Sequence, residues 1–129
     1  MNADYRISES AWLKGLGDTE GDRIVRKYRK RISMITGLTM EKAEEVQLAN
    51  YGIGGQYEPH YDHATENDAG GFPEAEGNRI GTWLSYIQQP IMGGGTVFLG
   101  PGIQADPIQN SAVFWYNLLP DGRRKCLKN

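Results

Sequence analysis

The 129 residues suffice for one domain, and a composition of 39% hydrophobic and 23% charged residues, with three Trp and seven Tyr, excludes a chain too polar to build a core. A net charge of −2 leaves no basic surplus for nucleic acid, and no stretch approaches the roughly 20 apolar residues that span a bilayer. Cys126 has no second cysteine to pair with, so thiol usage is silent on compartment.

The opening residues, "MNADYRISES", lack an apolar core and so do not read as a signal peptide. Tyr5, Ile7, Trp12 and Leu13 want burial at once, as expected of a segment from within a longer protein. Thr19 with Asp22 three residues on predicts a helix start, and Gly37 a stop, giving a helix over roughly 20–36. Ile24, Val25, Tyr28, Ile32 and Ile35 fall on one face at helical spacing, and the Arg and Lys residues of 23–31 form the solvated face. A second short helical turn is expected from Thr39, carrying Glu41, Glu44 and Glu45.

From Val46 the period changes to two. "VQLANY" (46–51), "QYEPHYD" (56–62), "RIGTWLSYI" (79–87), "TVFL" (96–99) and "SAVFWYN" (111–117) read as strands, with a polar, Gly-rich loop over about 63–78. Trp83, Phe114 and Trp115 read as core. Helices first and short strands after predict an α+β fold, with an antiparallel jelly roll, or double-stranded β-helix, as the leading architecture. Pro59 within a strand implies an edge or a bulge.

The stretch 56–63 holds both histidines of the chain. On a strand, His60 and Asp62 share a face at roughly 6–7 Å along the backbone, while His63 points to the other side and reads as a loop or surface histidine. An imidazole and a carboxylate at this spacing are the local half of a 2-His-1-carboxylate iron site. On its own the His-x-Asp pair is common and is more often structural.

The neighbouring motifs carry more. "LANYGIGGQYEPHYD", "GNRIGTWLSYI", "GGGTVF" and "SAVFWYN", in that order, resemble the catalytic domain of the collagen prolyl 4-hydroxylase α subunit, an Fe(II)- and 2-oxoglutarate-dependent dioxygenase. The resemblance runs from about Tyr5 to Gly122. It implies that His60 and Asp62 are iron ligands and that Tyr51 and Thr96 contact 2-oxoglutarate. It further implies that Tyr57, Arg79 and, more weakly, Glu44 lie near the peptide groove. Read without the resemblance, Tyr51 and Thr96 are ordinary strand residues, Arg79 is an ion-pair partner of the acidic loop, and Tyr57 is a packing residue.

The resemblance also implies ascorbate, a proline-rich or collagen-like peptide substrate, a protein disulfide isomerase subunit as partner and the endoplasmic reticulum lumen as compartment. Family members continue past this strand to a second histidine ligand and then a lysine for the distal carboxylate of 2-oxoglutarate. Here no histidine follows His63, and that lysine's role is not carried to Arg123, Arg124, Lys125 or Lys128. The expectation is therefore one dioxygenase domain over 1–129 lacking its last strands: N-terminal helices packed on an incomplete jelly roll, with activity impaired. The alternative is an inactive, truncated paralogue that binds a peptide or a partner.

Overall fold

The computed structural model describes residues 8–64, 77–121 and 123. Tyr5 and Ile7 lie outside them. The chain forms two compact units, Met1–Glu58 and Pro59–Asn129.

In the first unit, β1 (Glu9–Leu13) pairs antiparallel with β2 (Val46–Asn50), from Glu9 opposite Asn50 to Leu13 opposite Val46. Between them in sequence runs α1 (Glu20–Thr36), bounded as its ends predict. The Thr19 hydroxyl accepts from Asp22 N at 3.2 Å, and the Asp22 carboxylate accepts from Thr19 N at 3.2 Å, a reciprocal cap. Gly37 closes the helix at φ 73°, donating its N–H to Ser33 O at 2.9 Å.

The inward stripe of α1 is not the one that apolar spacing predicts. Val25 and Ile32 are buried, but Ile24 and Ile35 are 60% and 70% exposed. Arginines explain the shift. Arg29 Nη2 donates to Met40 O and Ala43 O at 2.9 and 3.0 Å, and Arg26 Nη1 to Gly15 O and Gly17 O at 3.0 and 2.6 Å. A guanidinium with five donors satisfies loop carbonyls that an isoleucine would leave bare. Gly15 is needed at this contact: its φ is 69°, and a Cβ there would lie 2.7 Å from Val25 Cγ1.

The second helical turn expected from Thr39 is instead an isolated turn, with Ala43 N donating to Met40 O at 3.3 Å. Its carbonyls are engaged by Arg29, so the described residues contain one α-helix rather than several. Trp12 and Leu13 are exposed on β1, contrary to the burial expected of them. No described helix is long and apolar enough to cross a membrane.

The second unit holds two antiparallel ribbons. In one, β3 (Gly81–Tyr86) pairs with β6 (Ser111–Tyr116), with Thr82 opposite Trp115 and Tyr86 opposite Ser111. In the other, β4 (Thr96–Phe98) pairs with β5 (Ile103–Ala105) through a tight turn in which Gly102, at φ 67°, donates to Phe98 O at 3.0 Å. Phe98 and Trp115, both buried, meet edge to face at 5.0 Å between ring centres and join the ribbons. Trp83 and Phe114 are only half-buried. Sheets of the described residues are thus three two-stranded antiparallel ribbons with one helix, an α+β arrangement.

The strand expected over 56–62 does not form. Only Tyr57 makes a β-bridge, and bends follow at Pro59, Asp62 and His63. Pro59 has no N–H to give a ladder and fixes its own φ, which favours a turn here.

Candidate functional site

The bend after Pro59 brings His60 and Asp62 closer than a strand would. His60 Nε2 and Asp62 Oδ1 stand 3.3 Å apart, with side chains 27% and 10% exposed. The other carboxylate oxygen, Oδ2, accepts from Thr82 Oγ1 at 2.7 Å. Thr82 Oγ1 in turn accepts from Asn117 Nδ2 at 2.9 Å, and Asn117 is almost fully buried. Arg79 Nη1 donates to the main-chain carbonyl of Asp62 at 3.2 Å. Burial alone would raise the Asp62 carboxyl. The hydrogen bonds from His60 and Thr82, with the charges of His60 and Arg79, hold it below the ordinary carboxylate value.

Strand alternation explains the grouping. Thr82, Leu84 and Tyr86 occupy one face of β3, and their partners Trp115, Val113 and Ser111 share it. Thr82 anchors Asp62 at one end of that face. At the other end the Tyr86 hydroxyl lies 2.8 Å from Thr96 Oγ1 and 3.3 Å from Ala105 O. A phenol has one proton, so both contacts are satisfied together when Tyr86 donates to Ala105 and receives from Thr96. The buried Trp115 on this face carries an indole N–H with no hydrogen-bond partner among the described residues. Such orphans are rare in folded proteins.

The bend is pinned at its far end. Asn78 brackets Ala64, its Oδ1 accepting from Ala64 N at 2.9 Å and its Nδ2 donating to Ala64 O at 3.2 Å. His63 is the loop histidine expected, in a bend, but not a surface one: it is 5% exposed and its ring packs on Tyr61, 5.2 Å between centres at 39°.

Of the residues singled out by sequence, His60, Asp62 and Arg79 come together, and Thr96 is tied to Tyr86. Tyr51, Tyr57 and Glu44 belong to the first unit, where all three are exposed. Sequence reading missed Thr82, Asn117 and Asn78. A polar residue on the inward parity of "RIGTWLSYI" was the available signal for Thr82; Asn117 and Asn78 act across 35 and 14 residues, respectively, and gave none.

The donor set suits a first-row divalent ion in part. Two donors at about 2.1 Å from one octahedral ion, at right angles, stand about 3.0 Å apart, close to the observed 3.3 Å. An imidazole nitrogen with a carboxylate oxygen is the chemistry of Fe(II) sites. Among the described residues no group of three His, Cys, Asp or Glu surrounds a metal position.

Comparison with known proteins places the chain in a family. Prolyl 4-hydroxylase subunit alpha-1 of Caenorhabditis elegans is 51% identical over 95% of this chain, and that of Rattus norvegicus 48% over 93%. Prolyl 4-hydroxylase subunit alpha-2 of Caenorhabditis elegans is 46% identical over 94%. The chain spans about a fifth of the length of these curated relatives. Residues 46–124, which contain His60, Asp62, Thr82 and Asn117, match the family described as the 2OG-Fe(II) oxygenase superfamily. With that match over more than half its length, the chain belongs to the 2OG-Fe(II) oxygenase superfamily.

Proposed function

We propose that the chain is a prolyl 4-hydroxylase-type dioxygenase domain that acts on peptidyl proline with Fe(II), dioxygen, 2-oxoglutarate and ascorbate. The observation that carries this reading is the 3.3 Å approach of His60 Nε2 to Asp62 Oδ1, with Oδ2 already engaged by Thr82. In this reading His60 and Asp62 hold the metal. Iron and 2-oxoglutarate, when bound, would supply the chemistry by which dioxygen, the oxidant, leaves one oxygen atom in hydroxyproline and the other in succinate, with carbon dioxide released.

The other residues bind and orient. Tyr51 and Thr96 are the cosubstrate contacts, with the Thr96 hydroxyl held by Tyr86. Tyr57, Arg79 and Glu44 serve the peptide, and a polyproline II ligand suits exposed tyrosines. Residues 1–129 belong to one dioxygenase domain of the jelly-roll type in this reading. A protein disulfide isomerase subunit is the partner, and the endoplasmic reticulum lumen the compartment.

Turnover by these 129 residues alone is impaired in this reading, because the sequence holds two histidines and His63 packs on Tyr61. The same observation favours a second reading, a peptide- or partner-binding module without catalysis. Succinate release from 2-oxoglutarate, with a proline-rich peptide, Fe(II) and ascorbate, separates the two. The 129-residue chain should run near background. A longer chain that adds a further histidine and a basic residue should release succinate, and His60→Ala should abolish that release. An inert longer chain that still binds the peptide would favour the module.

A further inference from the structure

We infer that Asn117 and Thr82 form a one-way hydrogen-bond relay that turns the Asp62 carboxylate so that only Oδ1 is offered to a metal beside His60. The inference rests on the metal reading of His60 and Asp62 above. Each link has one polarity. The Asn117 amide nitrogen can only donate, and it does so to Thr82 Oγ1 at 2.9 Å. That contact takes a lone pair of the hydroxyl, whose single proton is then directed to Asp62 Oδ2 at 2.7 Å. Oδ2 is occupied, and Oδ1 remains on the His60 side at 3.3 Å.

The relay is anchored at both ends. Asn117 is 2% exposed, and its backbone N–H donates to Ile80 O at 2.8 Å, so the amide has little freedom. Thr82 is fixed in β3 opposite Trp115, two residues before Asn117. At Asp62 the Arg79 guanidinium holds the main-chain carbonyl while Thr82 holds the side chain. Thr82 and Asn117 are therefore positioning residues, which act on a metal through Asp62 alone. Partners of this kind set the orientation and basicity of a ligand, and their loss typically weakens metal binding about 10- to 100-fold.

An aspartate at 117 would reverse the relay. Being an acceptor only, it would claim the threonine proton and leave Thr82 facing Asp62 with a lone pair. The test is a Co(II) titration of the 129-residue chain, followed by the Co(II)-induced shifts of the backbone amides of residues 61–64 and 79–82, with thermal unfolding measured on every variant. Wild type should bind Co(II) and His60→Ala should not. Thr82→Val and Asn117→Asp should each weaken the affinity about 10- to 100-fold, and Thr82→Ser, which keeps the hydroxyl, should restore most of it. A purely structural role would lower the melting temperature and leave the affinity of the folded chain unchanged. The two variants cut the relay at different links, so one that fails to fold leaves the other to decide. Wild-type affinity in a folded Thr82→Val or Asn117→Asp chain overturns the relay while the metal reading stands. Identical titrations of wild type and His60→Ala overturn the metal reading, and the relay with it.

Discussion

The two faces of the β3–β6 ribbon are built from the same twelve residues of strand, yet they differ in kind. One face carries Thr82, Tyr86 and Trp115; Asn117 follows β6 and joins Thr82, so that hydroxyl and amide groups reach Asp62 and Thr96. The other carries Trp83, Phe114 and Tyr116 in a row, with ring centres 6.2 and 5.0 Å apart. On the first face Thr82 is hydrogen-bonded to Asp62 and Asn117, and Tyr86 to Thr96 and Ala105. On the second, polar groups are nearly absent: the Trp83 indole donates sideways to Ser85 at 3.0 Å. The alternation of a strand has put the hydroxyls of Thr82 and Tyr86 on one side of the ribbon and the Trp83–Phe114–Tyr116 row on the other.

Substitutions at facing positions should expose this difference, beginning with the largest effect. Trp115→Ala removes the ring that packs on Phe98 and should cost about 3–5 kcal/mol of stability in a urea titration. Phe114→Ala, on the half-buried face, should cost markedly less. Equal losses would erase the distinction between the faces.

The same contrast in α1 gives the next effect. Ile32→Ala should cost about 2–4 kcal/mol and the exposed Ile35→Ala under about 0.5 kcal/mol. A reversed order would restore the apolar stripe that spacing alone predicts. Smaller again, Tyr86→Phe leaves the ring and removes the hydroxyl beside Thr96 and Ala105, at about 1 kcal/mol. No loss there would mean that the polar face contributes orientation without stability.

Local signals were legible in the sequence where the deciding interaction is itself local. Thr19 with Asp22, and Gly37, fixed the helix ends because caps lie within a turn of the residues they serve. The strands at 46–50, 81–86, 96–98 and 111–116 followed from alternation. β1 and β5 were missed, although β2 and β4 are no longer. The juxtaposition of His60 and Asp62 was expected from strand parity, whereas a bend produces it, because Pro59 cannot join a ladder. Ile24 and Ile35 misled because apolar spacing is blind to arginines that bind loop carbonyls. The contacts of Asp62 with Thr82 and of Thr82 with Asn117 span 20 and 35 residues, beyond any periodicity.

The central claim is that His60 and Asp62 are a metal pair. Iron K-edge X-ray absorption of the chain loaded anaerobically with Fe(II) tests it most directly. The account predicts a light-atom shell at about 2.0–2.2 Å with the outer scattering of a single imidazole, lost in His60→Ala. A spectrum that is the same in wild type and His60→Ala would contradict it.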